Sequence, residues 1–211
     1  MKNTNPLEDL QEIRRMMEGS SKFLSLSGLS GIFAGLTALT GAWFARKEII
    51  TFRKKYVFYD LQGRLKEGFW ELDKRLMLIA FLVLIVALGF GVFFTWLKAR
   101  KSGSSLVTPL SFRLVRSMMV PLFFGGLFCF ALYWHGFIGA ISPAMLIFYG
   151  MALLNASKYV HADIKYLALC EMALGVVGMF YIYHGLIFWS IGFGVLHILY
   201  GTIMYFKYDR K

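Results

Sequence analysis

Residues 164–206 read IKYLALCEMALGVVGMFYIYHGLIFWSIGFGVLHILYGTIMYF, two apolar runs joined by the turn His184-Gly185. Each run is long enough to cross a bilayer core, which takes about 20 apolar residues as a helix. The first run carries one carboxylate, Glu171, and the second one imidazole, His197. Ionisable groups are costly at membrane depth and mark either interhelical pairs or function. Glu171 lies roughly 8 Å and His197 roughly 13 Å from the same boundary at 1.5 Å per residue. The spacing therefore predicts that the two lie about one helical turn apart in depth and can meet.

The rest of the chain has the same character. Of 211 residues, 58% are hydrophobic, against roughly 45–50% in soluble domains. The pattern predicts an all-α membrane protein: a bundle of six transmembrane helices preceded by an amphipathic N-terminal helix. The spans fall at about 23–44, 76–97, 117–134, 137–154, 166–183 and 186–206, forming one domain over 23–211. Residues 1–22 form the amphipathic segment, with Leu7, Leu10, Ile13 and Met17 on one face and Asn5-Pro6 at its start. Such a helix lies in the membrane interface. Acidic Glu8, Asp9, Glu12 and Glu18 make this opening unlike a cleavable leader. Residues 45–75 read as a basic loop with nine Lys/Arg and five Asp/Glu. Pro121 and Pro143 read as lying in the first turns of the third and fourth spans, and the five tryptophans fall near span ends.

The net charge of +11 does not point to nucleic acid. The Lys and Arg flank apolar runs, where cytoplasmic anchors and contacts to anionic lipid headgroups belong. With both termini inside, fourteen Lys/Arg lie on the inner side and nine on the outer, all nine in the 45–75 segment. The turns at His135-Gly136 and His184-Gly185 carry none. Cys129 and Cys170 sit inside spans without CxxC or Cys/His spacing, and read as apolar fillers.

Three groups of residues are candidates for more than packing. Ser27, Gly31 and Gly35 recur every fourth residue, a spacing that lets helices approach closely. They pack within the chain or form a homo-oligomer or membrane-partner interface. His135-Gly136 and His184-Gly185 repeat at an offset of 49, as do Lys158-Tyr159 with Lys207-Tyr208 and Gly126 with Gly175, suggesting two parallel helical hairpins. Glu171 and His197 admit three readings. They form an interhelical bond that fixes packing, a proton- or cation-handling site, or a metal or hydrolytic site with Asp163 or His161 as a further ligand. Asn155 is another polar candidate at a span end, or a helix cap. No catalytic motif, metal set or cofactor fingerprint is present.

The segments SSKFLSLSGLSGIFAG at 20–35, LIFYGMALLNASKY at 146–159 and GFGVLHILYG at 192–201 resemble an uncharacterised family of small bacterial six-helix integral membrane proteins. The resemblance implies a bacterial inner membrane and brings no activity with it. The expectation is therefore a multi-pass protein with a non-enzymatic regulatory, sensing or partner-binding role. Two alternatives stand beside it: a small transporter or proton/cation-handling protein using Glu171 and His197, and an intramembrane metal-dependent or lipid-modifying enzyme.

Overall fold

The computed structural model describes residues 10, 27–103 and 105–210. The amphipathic helix expected over 1–22 lies outside the described residues, apart from an exposed Leu10. Every regular element among the described residues is helical. They are α1 (Gly28–Leu61), α2 (Leu65–Lys101), α3 (Pro109–Trp134), α4 (Ile138–Ala156), α5 (Ile164–Phe180) and the rod α6 (Ile182–Asp209). Five of them, all but the 17-residue α5, are long and apolar enough to cross a membrane.

The expected basic loop 45–75 is not a loop. α1 and α2 continue through it and meet at a tight turn, where Gly63 takes φ +64° and donates to the Asp60 carbonyl at 3.0 Å. Lys, Arg and Glu are good helix formers, and no proline interrupts 45–75. Charge ends an apolar run without ending a helix. The two helices level at Arg75 and Glu48, whose side chains pair at 3.1 Å. Beyond that pair the hairpin runs on for roughly 15–20 Å at 1.5 Å per residue.

Pro121 likewise moves from an expected first turn to the interior of α3. The helix begins earlier than its apolar run because Thr108 caps it. Thr108 Oγ1 accepts from the Ser111 N–H at 3.1 Å, Ser111 Oγ returns to the Thr108 N–H, and Pro109 opens the helix.

α6 is a composite. A 3₁₀ turn at Ile182–His184 leads into α-helix at Gly185–Trp189, π-helix at Ser190–Leu196, α-helix at His197–Met204 and π-helix at Tyr205–Asp209. It packs against α1 on one side and against the α4–α5 pair on the other, while α3 packs on α4 and α2 on α1. Small residues make the α1–α6 contact. A Cβ on Gly31 would stand 3.1 Å from Gly201 Cα, one on Gly35 2.6 Å from the Gly194 carbonyl, and one on Gly201 2.6 Å from the Ile32 nitrogen. The other faces of α2 are exposed and apolar, with Leu78, Leu82, Ile85 and Phe93 outward, as lipid-facing surface is. Leu153, Val160, Ile164, Leu167 and Ala168 form the buried core between α4 and α5.

The hairpin repeat is not matched in detail. Gly136 turns with φ +79°, whereas Gly185 is helical at φ −50°. Gly175 packs on Pro143 and Ile147, but space around Gly126 is open.

Candidate functional site

α5 delivers Glu171 seven residues after its first residue, Ile164, and α6 delivers His197 directly after its first π-helical stretch. Glu171 has no exposed surface and His197 only 7%. Their closest atoms, Oε1 and Nδ1, are 3.4 Å apart. His197 Nδ1 lies 3.0 Å from the Gly192 carbonyl. A carbonyl only accepts, so Nδ1 carries the proton. Nε2 is then free to accept, and Tyr149 on α4 donates its hydroxyl to it at 2.7 Å. Three helices thus contribute one group each to a Tyr149–His197–Glu171 chain.

Two backbone features hold this arrangement. The π-helical turn over Ser190–Leu196 inserts an extra residue, and such turns accommodate side-chain demands that an α-helix does not. Gly192 supplies both the carbonyl for His197 and the space for Glu171. A Cβ there would lie 2.6 Å from Glu171 Oε2 and would also overlap Leu146. Neither Glu171 oxygen receives a hydrogen bond within accepted geometry. The ion-pair distance to His197 is long for a charge-assisted bond, because the imidazole N–H is aimed at Gly192.

His161 and Asp163 do not join this group. They sit at the end of the bundle where α5 begins. Asp163 Oδ2 accepts from Lys207 Nζ at 2.7 Å and from the Tyr208 hydroxyl at 2.8 Å. Lys207, and next Tyr208, hold the Asp163 carboxyl below the ordinary carboxylate range. His161 stacks on the Tyr208 ring with centroids 3.9 Å apart. These contacts tie the end of α6 to the connection before α5. Among the described residues no three His, Cys, Asp or Glu side chains gather as metal ligands.

Asn155 has a specific packing task. Pro121 has no N–H, so the Ser117 carbonyl four residues earlier loses its helical donor. Asn155 Nδ2 donates to that carbonyl from α4 at 3.4 Å. Ser27 also acts through its hydroxyl. With the Gly28 N–H it donates to Asp209 Oδ2, at 2.9 and 2.8 Å, while Lys98 Nζ pairs with Oδ1 at 2.7 Å. Asp209 thereby caps α1 from α6 and draws in α2, an anion at a helix N-terminus.

Sequence reasoning missed Tyr149, Tyr200, Gly192 and Asp209. Tyr149 and Tyr200 sit in apolar runs, where tyrosine is read as amphipathic filling. For Tyr200 the three-residue spacing from His197 along α6 was the available clue; Tyr149, on a different helix from both, offered none. The chain matches no family model, no curated protein and no solved structure.

Proposed function

We propose that the protein is a six-span bacterial inner-membrane protein with a non-enzymatic sensing and partner-binding role, both termini being cytoplasmic. One observation carries this reading: the α1–α2 hairpin runs roughly 15–20 Å past the Arg75–Glu48 pair at 1.5 Å per residue. That projecting surface is polar and well supplied with contact groups. Arg53, Lys54, Lys55 and Phe69 are exposed on it. Such a head suits recognition of another protein. The two Trp–cation pairs on α2, Trp70 with Lys74 and Trp96 with Arg100, lie about 39 Å apart along a helix. That matches a bilayer with its interfaces, and supports placing the tip outside it. α5, extended by its flanking residues, supplies the sixth span on this reading. Anionic headgroups meet the Lys and Arg at both boundaries.

The test is in-cell photo-crosslinking from single positions. Residues 53, 54 and 69 give discrete protein adducts, whereas lipid-facing position 82 does not. A head without adducts, together with a purified protein that alone turns over lipid or moves a solute, sinks the reading.

The Tyr149–His197–Glu171 chain favours a second reading, proton handling. It is the arrangement that proton relays use in membranes. Reconstituted protein then shows a Glu171-dependent proton uptake that Glu171→Gln abolishes; uptake unchanged in that variant ends this reading.

A further inference from the structure

We infer that Glu171 is a proton-binding site loaded from one end of the bundle, the end that carries Asp163, and closed toward the other. The inference rests on the proton-handling reading above and adds its ligand, its route and its sidedness.

The ligand follows from space. The Glu171 carboxyl has no accessible surface. On one side it abuts Gly192 so closely that a Cβ there would sit 2.6 Å from Oε2. A metal ion or an organic solute needs volume that this packing does not leave. A proton needs none, and both carboxyl oxygens lack a hydrogen-bond donor in accepted geometry.

The route follows from one face of α6. His197, Tyr200, Met204 and Tyr208 recur at three- and four-residue intervals, which places them on one side of the rod. The Tyr200 hydroxyl is buried and has no hydrogen-bond partner. Tyr200 and Tyr149 pack against the same buried core of Leu153, Val160, Ile164, Leu167 and Ala168, and Tyr208, further along the same face of α6, bonds Asp163. Tyr149 bonds His197, and His197 faces Glu171. The titratable groups facing Glu171 are thus His197 from α6 and Tyr149 from α4, with Tyr200 behind them. Toward the opposite end no such group follows before Tyr181, Tyr183 and His184 at the far turn. Residues 172–180 of α5, 138–148 of α4, 185–196 of α6 and 28–45 of α1 contain no Asp, Glu, His, Lys, Arg or Tyr. Gly175 and Gly178 close that side by packing on Ile147, Pro143 and Phe188.

Loading takes up one proton. The Nδ1–H of His197 swings from the Gly192 carbonyl to Glu171 Oε1, 3.4 Å away, and breaks as an O–H bond forms there. Nε2 takes the Tyr149 hydroxyl proton, which leaves the imidazole neutral in its other tautomer. Tyr149 is reprotonated by way of Tyr200, and Tyr200 from the water at the Asp163 end.

The experiment uses the full chain in oriented proteoliposomes, with pH jumps applied to one face at a time. The carboxyl stretch is followed by infrared spectroscopy and assigned by its loss in Glu171→Gln. The band is expected to respond to the Asp163 face only. It slows at least tenfold in Tyr200→Phe, a variant that removes an unbonded hydroxyl and keeps the ring. A pH-sensitive dye in the lumen reports no sustained flux. A response to the opposite face, an unchanged rate in Tyr200→Phe, or steady flux down a proton gradient each overturns one-sided loading. No band difference between wild type and Glu171→Gln at any pH overturns the underlying proton-handling reading instead.

Discussion

At the scale of single residues, polar groups in this bundle answer for one another across helices. Asn155 and Pro121 are the clearest case, since one donates to the carbonyl that the other leaves open. Asn155→Leu should cost about 1 kcal/mol in a detergent unfolding titration, the order of an interhelical hydrogen bond in a membrane protein. In a Pro121→Ala background that cost should largely vanish, because the helix regains its own N–H at position 121. Equal costs in the two backgrounds would rule out the compensation. Asp163 gives a second prediction. Its pKa is lowered by Lys207 and Tyr208, so its contribution is complete above the unfolded carboxylate value and is lost as pH falls through the folded one. The stability difference between wild type and Asp163→Asn should be flat near neutrality and disappear only below about pH 4. Glu171 and His197 were legible in the sequence because a charge in an apolar run stands out. Tyr149 was not, because a tyrosine there looks like filling until the fold brings its hydroxyl to an imidazole. Asp209 was hidden for another reason: its partners Ser27 and Lys98 are far away in the chain.

At the scale of elements, apolar length located the crossings but not the helix ends. Arg46-Lys47-Glu48 stops a hydropathy run, yet each of these residues favours helix, and the chain turns only where Gly63 takes a left-handed conformation. The α1–α6 contact depends on small residues, as lipid-embedded helices do in the absence of a hydrophobic drive. Gly201→Leu should destabilise the fold by about 1–3 kcal/mol or more through overpacking against α1. Gly91→Leu, where space is open, should change stability little. Both are read by thermal aggregation in detergent, and similar losses in the two would place the α1–α6 contact elsewhere. The π-helical stretch of α6 makes its own prediction. Deleting Ile191 removes the extra residue and restores an α-helical count, which leaves His197 near its present face but straightens the wide turn that sets the Gly192 carbonyl against its ring. The imidazole then loses its Nδ1 partner, and a variant that keeps the infrared signature of the wild-type site would show that the extra residue does not position the imidazole.

At the scale of the whole molecule, the α1–α2 head and the Asp163–Lys207 cluster lie at opposite ends of the bundle. Single cysteines at 54 and 102, with Cys129 and Cys170 replaced, should react with an impermeant maleimide from opposite sides of the membrane. Labelling of both from one side would require a different topology. The packing order has a further consequence, for biosynthesis. α1 and α2 hold to each other, α3, α4 and α5 hold to one another, and α6 joins the two groups. α6 is translated after the other five, and its Asp209 caps the first turn of α1. At about 5–20 residues per second the ribosome needs roughly ten to thirty seconds to pass from one to the other. For that interval the two groups share little beyond the hydrogen bond from Tyr133 to Asp73, with the glycine face of α1 uncovered. Insertases and intramembrane quality control have that window to act, and it closes when α6 slides in.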